Sequence, residues 1–292
     1  MNEEDFLAHL RTLPLHPGAG RLTDDTAALA GLTITTDTLV EGVHFLSEDP
    51  PRDVAWKLVA TNLSDLAAKG ALVEGILLNY PLGDPVWDSA FLDGLRETLA
   101  ALSCPLIGGD TVTLPAGAPR ILTVTAFGRD AAAPPRSGAR PGDALYVTGT
   151  IGDAGAGLAI ARAGAGDAAL LARYRRPAPR LAEGRALAPA VHAMMDVSDG
   201  LLIDATRMAR ASDLAVTIDL AAVPLAPGIT DALTAATAGD DYELLFAAPA
   251  DRSLPVPATR VGTFSTGAGL TLMQGKQLIP LPNRLGYQHG LR

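Results

Sequence analysis

Residues 53–70 read DVAWKLVATNLSDLAAKG. Val59, Leu63 and Leu66 recur at helical spacing, Asp53 stands where an N-cap would, and Gly70 offers the left-handed residue that commonly ends a helix. The stretch therefore predicts a long helix over Asp53–Lys69. Inside it, Asp65 follows Asn62 by one turn on the same face. Two readings of that carboxylate stand side by side: a solvated partner of Lys69 at the favourable i,i+4 spacing, or a metal ligand fixed on a rigid helix.

Working outward, the upstream chain predicts an amphipathic helix over Glu3–Leu13 and a strand over Leu32–Thr36. Downstream come a strand at Gly75–Tyr80 and a helix over Trp87–Leu102 with Phe91, Leu95, Leu99 and Leu102 on one stripe. Strands near Leu106 and over Ile121–Phe127 follow. The stretch DAAAPPRSGARPGD, residues 130–143, interrupts both periodicities and reads as a linker. It divides the chain near Arg136 into residues 1–135 and 136–292. Beyond it, a strand over Ala144–Thr148 meets a glycine-rich turn and helix (Gly149–Ala163), and a second strand–turn–helix unit centres on MMDVSDGLLIDATRM, residues 194–208. Strands at Leu214–Ile218, Tyr242–Phe246 and Arg260–Gly262 complete a two-domain α/β (α+β) pattern.

The 292 residues are 48% apolar and 19% charged, enough apolar matter for a sizeable core. The acidic opening MNEEDFLAHL does not read as a secretory peptide, and no apolar run approaches the roughly 20 residues that span a bilayer, so a cytoplasmic protein without membrane contact is expected. Cys104 is the only cysteine and reads as a small core residue, with no disulfide or thiolate zinc cage open to it. A formal charge of −9 disfavours nonspecific nucleic-acid binding. If the ligand is an anion such as ATP, acidic residues can hold it only through an intervening cation.

The carboxylates are placed for such a role. Asp24 and Asp25 precede an apolar stretch, Asp37 follows the strand-like LTITT, and Asp110 follows Gly108 and Gly109, all at expected strand ends, where ligand sites of open α/β sheets gather. In MMDVSDGLL a short apolar run ends at Asp196, and either Ser198 or Asp199 could cap the following helix. Asp153 is a capping candidate in GTIGDAGAG. Taken singly, each is as readily a turn or cap residue. There is no GxxxxGK[ST] phosphate loop, no kinase set of glycine-rich loop, HRD and DFG, no GxSxG and no HExxH. Any ATP site is therefore of another kind.

With DDTAAL, TTDTLVEGVHF, NLSDLAAKGA, IGGDT, RSGARPGD, YVTGTIGDAGAGLAI, RPAPRLAEG, MDVSDGLLID and AGDDYELLF in order from Asp24 to Phe246, the chain resembles the thiamine-monophosphate kinases. These belong to the superfamily that includes aminoimidazole-ribonucleotide synthetase. The resemblance implies that two-domain fold and direct transfer of the ATP γ-phosphoryl group to thiamine phosphate. It also implies a homodimer whose N-terminal sheets form a shared barrel. Carried over position by position, it puts several Mg²⁺ ions on Asp25, Thr35, Thr36, Asp37, Asp65, Asp110, Asp196 and Asp199. ATP falls to Gly109, Asp110, Arg136 and Ser198, and thiamine phosphate to His44 and Asp240. Asp65, Asp37 and Asp199 are the expected catalytic set. The chain departs from the family pattern in having Thr23 for glycine, Asp240 for glutamate, and Arg284 where a C-terminal aromatic is expected, with Tyr287 nearby. Selenophosphate synthetase would need a reactive residue near the N-terminus, and the hydrogenase-maturation relative a terminal cysteine; neither is present. A purine-biosynthetic synthetase and a non-catalytic nucleotide-binding homologue are the remaining alternatives.

Overall fold

The structure, a computed structural model, describes residues 3–290. In chain order its elements are α1 (Glu3–Leu10), β1 (Ala27–Leu29), β2 (Leu32–Val40), α2 (Pro51–Ala68), β3 (Leu72–Leu82), α3 (Pro85–Ala101), β4 (Leu106–Thr113) and β5 (Ile121–Arg129). After residues 130–142, which carry no regular element, come β6 (Asp143–Val147), α4 (Asp153–Ala163), α5 (Ala168–Arg175), α6 (Leu181–Leu187) and β7 (Ala193–Asp196). The chain continues through α7 (Leu201–Ala211), β8 (Leu214–Asp219), α8 (Ala232–Thr237), β9 (Leu244–Pro249), β10 (Thr259–Thr266), β11 (Gly269–Gln274) and β12 (Gln277–Ile279).

The first five strands form one mixed sheet in the order β1-β2-β5-β3-β4, with β3 and β4 parallel and the other pairs antiparallel. In β5 the side chains of Leu122, Val124 and Ala126 are buried and alternate with less buried neighbours, the period-2 pattern of a sheet covered on one face. That face packs against α2 and α3 through Val54, Leu58, Val59, Leu63, Phe91 and Leu95. Strand β4 is the open edge: all eight of its residues are exposed, among them Leu106, Ile107 and Val112. The second sheet runs β12-β11-β8-β10-β6-β9-β7. Leu145, Val147, Met195, Leu245 and Ala247 pack with α7 on one face. Ala144, Tyr146, Met194, Leu244 and Phe246 pack on the other with Leu187 of α6 and with Ala67 and Ala68 of α2. Helix α2 is thus shared between both cores, and fourteen of its eighteen residues are buried.

Several boundaries differ from the sequence reading for identifiable reasons. Helix α2 starts before Asp53, on the Pro50-Pro51 pair, because proline suits the first helical turn and needs no N–H partner there. Its end is as expected, with Gly70 at φ 62°. Helix α1 stops at Leu10, three residues short of the expectation. Strand β2 pairs with β5 along its whole length, from Leu32 opposite Arg129 to Val40 opposite Ile121. Asp37 therefore lies inside a strand rather than after one, and Asp110 likewise lies inside β4. Cys104 is buried, as expected.

Candidate active site

Helix α2 builds the site by burying polar side chains toward the junction of the two sheets. Its Asn62 Oδ1 accepts the Asp37 backbone N–H at 3.0 Å and its Ser64 hydroxyl donates to Asp196 Oδ2 at 2.5 Å, so one helix anchors the β2 backbone at Asp37 and the β7 carboxylate. The Thr35 hydroxyl, two residues before Asp37 and hence on the same strand face, donates to Asp65. It also lies 3.3 Å from the Asp25 carbonyl oxygen. Asp25 pairs with Arg136, yet its second carboxylate oxygen and the Arg136 Nε are buried without a hydrogen-bond partner.

Crowding leaves an electrostatic signature. Asp37 is pushed up to about 6 by burial and by the charges of Asp25 and Asp199. Asp196 is pushed up to about 8 by burial and by Asp25, with the Ser64 hydrogen bond opposing. Asp65 is held well above the usual carboxylate range by burial and by Asp37, Asp196 and Asp25. Five carboxylates thus converge: Asp25, Asp37 and Asp65 from the first sheet and its helix, Asp196 and Asp199 from the second. Their donors are all hard oxygens, which suits Mg²⁺, and a buried carboxylate oxygen without a partner leaves room for a cation contact. Among the described residues no group of three His, Cys, Asp or Glu already forms a cage around one point.

Asp110 and Gly109 do not join this cluster within the chain. Strand order puts β4 three positions from β2, a separation of ~14 Å at about 4.8 Å per step. Gly109 is left-handed, and a Cβ there would fall 1.9 Å from the Leu78 carbonyl oxygen, so the β3–β4 approach requires glycine. The Thr36 side chain also points away, since alternation puts it on the face opposite Thr35, bonded to Val124 O and the Thr125 hydroxyl.

The local pairing of Asp65 with Lys69 does not form. Lys69, 1% exposed, instead places its ammonium 2.6 Å from Asp24 Oδ1 and 3.2 Å from both Pro134 O and Met194 O. Burial decides this: an ammonium deep in the junction needs several acceptors, and carbonyls of two distant segments supply them. The caps expected at α7 and α4 are not made either. Neither Ser198 nor Asp199 caps α7; Gly200 occupies the N-cap, and Asp204 turns back to accept the N–H groups of Ser198, Asp199 and Gly200 at 3.1, 3.0 and 3.2 Å. Asp153 does not cap α4, whose Gly152 and Ala154 N–H groups go to Asp241. Arg207 holds Asp199 and Asp204 together. The signal for Asp204 was its place one helical turn after Gly200; nothing local marked Arg207 or Asp241.

A second group of residues lies beside the cluster. His44 takes the Val40 N–H on Nδ1 at 2.9 Å, and burial lowers its pKa, leaving a neutral ring with a proton on Nε2. Asp240, at φ 70°, pairs with buried Lys57 at 2.7 Å, accepts from the Tyr242 hydroxyl at 3.1 Å, and donates its own N–H to Ser198 O at 2.8 Å. Burial, then Asp240, Asp37 and Asp196, raises the Tyr242 hydroxyl. The C-terminal segment folds back so that Tyr287 N–H reaches Asp199 O at 2.9 Å, and the His289 ring stands 5.5 Å from His44 and 5.0 Å from Tyr287. The tail brings the His289 ring to His44, with Tyr287 set against His289.

The chain is similar to known proteins along most of its length. The family models for the AIR synthase related protein, N-terminal domain, and its C-terminal domain match residues 23–129 and 140–269. The thiamine-monophosphate kinase of Caulobacter vibrioides is 39% identical over an alignment of 311 residues covering 94% of this chain and 86% of that protein. That of Escherichia coli K12 is 39% identical over 283 residues, covering 88% and 86%. The solved structure of AaThiL complexed with AMPPCP and TMP superposes with a TM-score of 0.87 at 28% identity, covering 99% of this chain and 97% of that one.

Proposed function

The chain belongs to the thiamine-monophosphate kinases of the AIR synthase related family, and from that premise we propose that it phosphorylates thiamine phosphate with ATP, giving thiamine diphosphate and ADP. The observation that carries the reading is the meeting of Asp25, Asp37, Asp65, Asp196 and Asp199, from both sides of the 130–142 connection, beside a neutral His44. Such a site holds polyphosphate through cations and needs little from a general base, because phosphoryl transfer is promoted mainly by positioning and charge stabilisation.

Asp25, Asp37, Asp65, Asp196 and Asp199, with the Thr35 hydroxyl, are the residues that would hold Mg²⁺. The ions, when bound, neutralise charge on the transferring phosphoryl group and align donor with acceptor. Arg136, beside Asp25, and Ser198, at the turn before α7, face the nucleotide. His44 presents its Nε2 proton to the acceptor, and Asp240 offers the exposed edge of its carboxylate. Tyr287 and His289 give the thiamine rings an aromatic wall. We place the domain boundary within the connection, assigning residues 1–135 to metal and nucleotide binding and dimerisation, and 136–292 to completion of the site. No helix among the described residues is long and apolar enough to cross a membrane, and we place the enzyme in the cytoplasm, with its ATP.

Incubation with ATP, Mg²⁺ and thiamine phosphate is expected to release ADP and thiamine diphosphate in equal amounts. Turnover with an aminoimidazole precursor and none with thiamine phosphate would overturn the assignment.

We further propose that the chain works as a homodimer through the open β4 edge, whose exposed Leu106, Ile107 and Val112 sit beside unpaired backbone groups. Pairing there gives Gly109 and Asp110, stranded in the single chain, a route to a nucleotide site. Ile107→Asp is expected to yield monomers in sedimentation and to lower kcat at least tenfold; a fully active monomer would sink the dimer requirement.

A further inference from the structure

Lys57 is a buried cation that the mechanism above leaves unused. It lies on α2, 2% exposed, two turns before Asp65. Its ammonium meets three partners on three other segments: the His44 carbonyl oxygen at 2.9 Å, Asp240 Oδ2 at 2.7 Å, and the face of Tyr174, whose ring centre is 4.2 Å away. His44 belongs to the loop between β2 and α2. Asp240 belongs to the turn between α8 and β9, on the other side of the junction, and Tyr174 to α5. Burying an ammonium is costly unless its donors are met, and here an anion, a carbonyl and an aromatic face meet them.

The Asp240 end of this contact carries backbone strain. A non-glycine residue at φ 70° is uncommon, and such conformations persist only where surroundings over-determine them. Two contacts do so: the Asp240 N–H to Ser198 O at 2.8 Å and the ion pair with Lys57. Lys57 thereby sets the spacing between His44 on one side and Asp240 on the other. Asp240 keeps 29% of its side chain exposed for a ligand, whereas Lys57 keeps 2% and has no surface to offer one.

We propose that Lys57 is a positioning residue that clamps His44 and Asp240 across the domain junction into the geometry that binds the acceptor. The inference rests on the placement of thiamine phosphate at those two residues. Its logic is local: the clamp reaches the acceptor side and leaves the metal cluster, fixed by Asn62, Ser64 and Thr35, in place.

Steady-state kinetics on the full-length enzyme test this, with thiamine phosphate and ATP varied separately. Lys57→Met is expected to raise KM for thiamine phosphate at least tenfold with KM for ATP within about twofold of wild type. Lys57→Arg should recover part of the loss. The Lys57→Met/Asp240→Asn double variant contains no unpaired buried charge, which keeps the test open if Lys57→Met alone folds poorly. Its KM for thiamine phosphate should match that of the worse single variant, because both changes break one clamp. A parallel rise in both KM values, no rise at all, or a double variant with multiplied defects would each overturn the proposal. His44→Ala and Asp240→Asn, measured alongside, separate the two layers. If they raise KM for thiamine phosphate and Lys57→Met does not, the clamp fails alone. If they leave it unchanged, the acceptor placement fails.

Discussion

Asp65→Asn is expected to lower kcat about a thousandfold, some 4 kcal/mol of transition-state stabilisation, while leaving the fold intact. Asp65 is 8% exposed, and its charge is opposed by Asp37, Asp196 and Asp25. Asparagine keeps its shape and can still accept the Thr35 hydroxyl, so packing against β2 survives. What disappears is one negative charge from a cation-binding cluster. Without Mg²⁺ the variant should melt at or above the wild-type temperature, since like-charge repulsion is relieved. A variant with near-normal turnover would show that Asp65 does not serve the chemistry. A pairing of Asp65 with Lys69 is excluded by the attachment of Lys69 to Asp24.

The second large effect is a stability that depends jointly on pH, Mg²⁺ and nucleotide. Asp37 and Asp196, at about 6 and about 8, and Asp65, well above the usual range, bind protons more tightly folded than unfolded. Stability then falls as pH rises wherever the folded state holds the extra protons. For Asp37 and Asp196 in the metal-free protein this window opens near the unfolded carboxylate value, about pH 4, and closes near pH 8. Calorimetry without Mg²⁺ should show a declining Tm across that range. Mg²⁺ with an ATP analogue replaces the protons as counter-charge. At a hundredfold excess over Kd they should add about 2.7 kcal/mol, roughly 5 °C for a chain of this size, with most benefit at the alkaline end. A Tm indifferent to Mg²⁺ and analogue together, or one rising from pH 5 to 8 without them, would contradict the crowded-carboxylate account.

How far these features were legible in the chain depends on the range of the interactions behind them. Periodicity exposes an element when its signal lies in neighbouring residues: Val59, Leu63 and Leu66 mark α2, and Gly70 marks its end. The 130–142 connection was visible for the same reason, as proline and glycine act locally. Strand ends were harder, because the length of β2 is set by its partner β5, more than eighty residues away. That is why Asp37, expected at a strand end, lies inside the strand. The carboxylates were found by their order within recognisable strings, whereas single residues were as consistent with caps and turns. Asp110 shows the limit of that route: it stands in the right string, yet strand order sets it apart from Asp37 in the same chain.

The polyphosphate chemistry came only with the family resemblance, whereas residues alone gave the α/β class, the central helix, the break between halves and an acidic chain without a P-loop. These rest on local periodicity, turn chemistry and charge, which are written in adjacent residues. Tertiary structure alone decided the partners of buried charges. Lys69 goes to Asp24 and two distant carbonyls, Lys57 goes to Asp240, and Asp241 takes the N–H groups at the start of α4 where Asp153 was expected to cap. The physical reason is burial: on a solvated face of α2 the i,i+4 pair of Asp65 and Lys69 would suffice. Because α2 is enclosed between two cores, each buried charge pairs instead with whatever acceptor or donor the folded junction brings within reach.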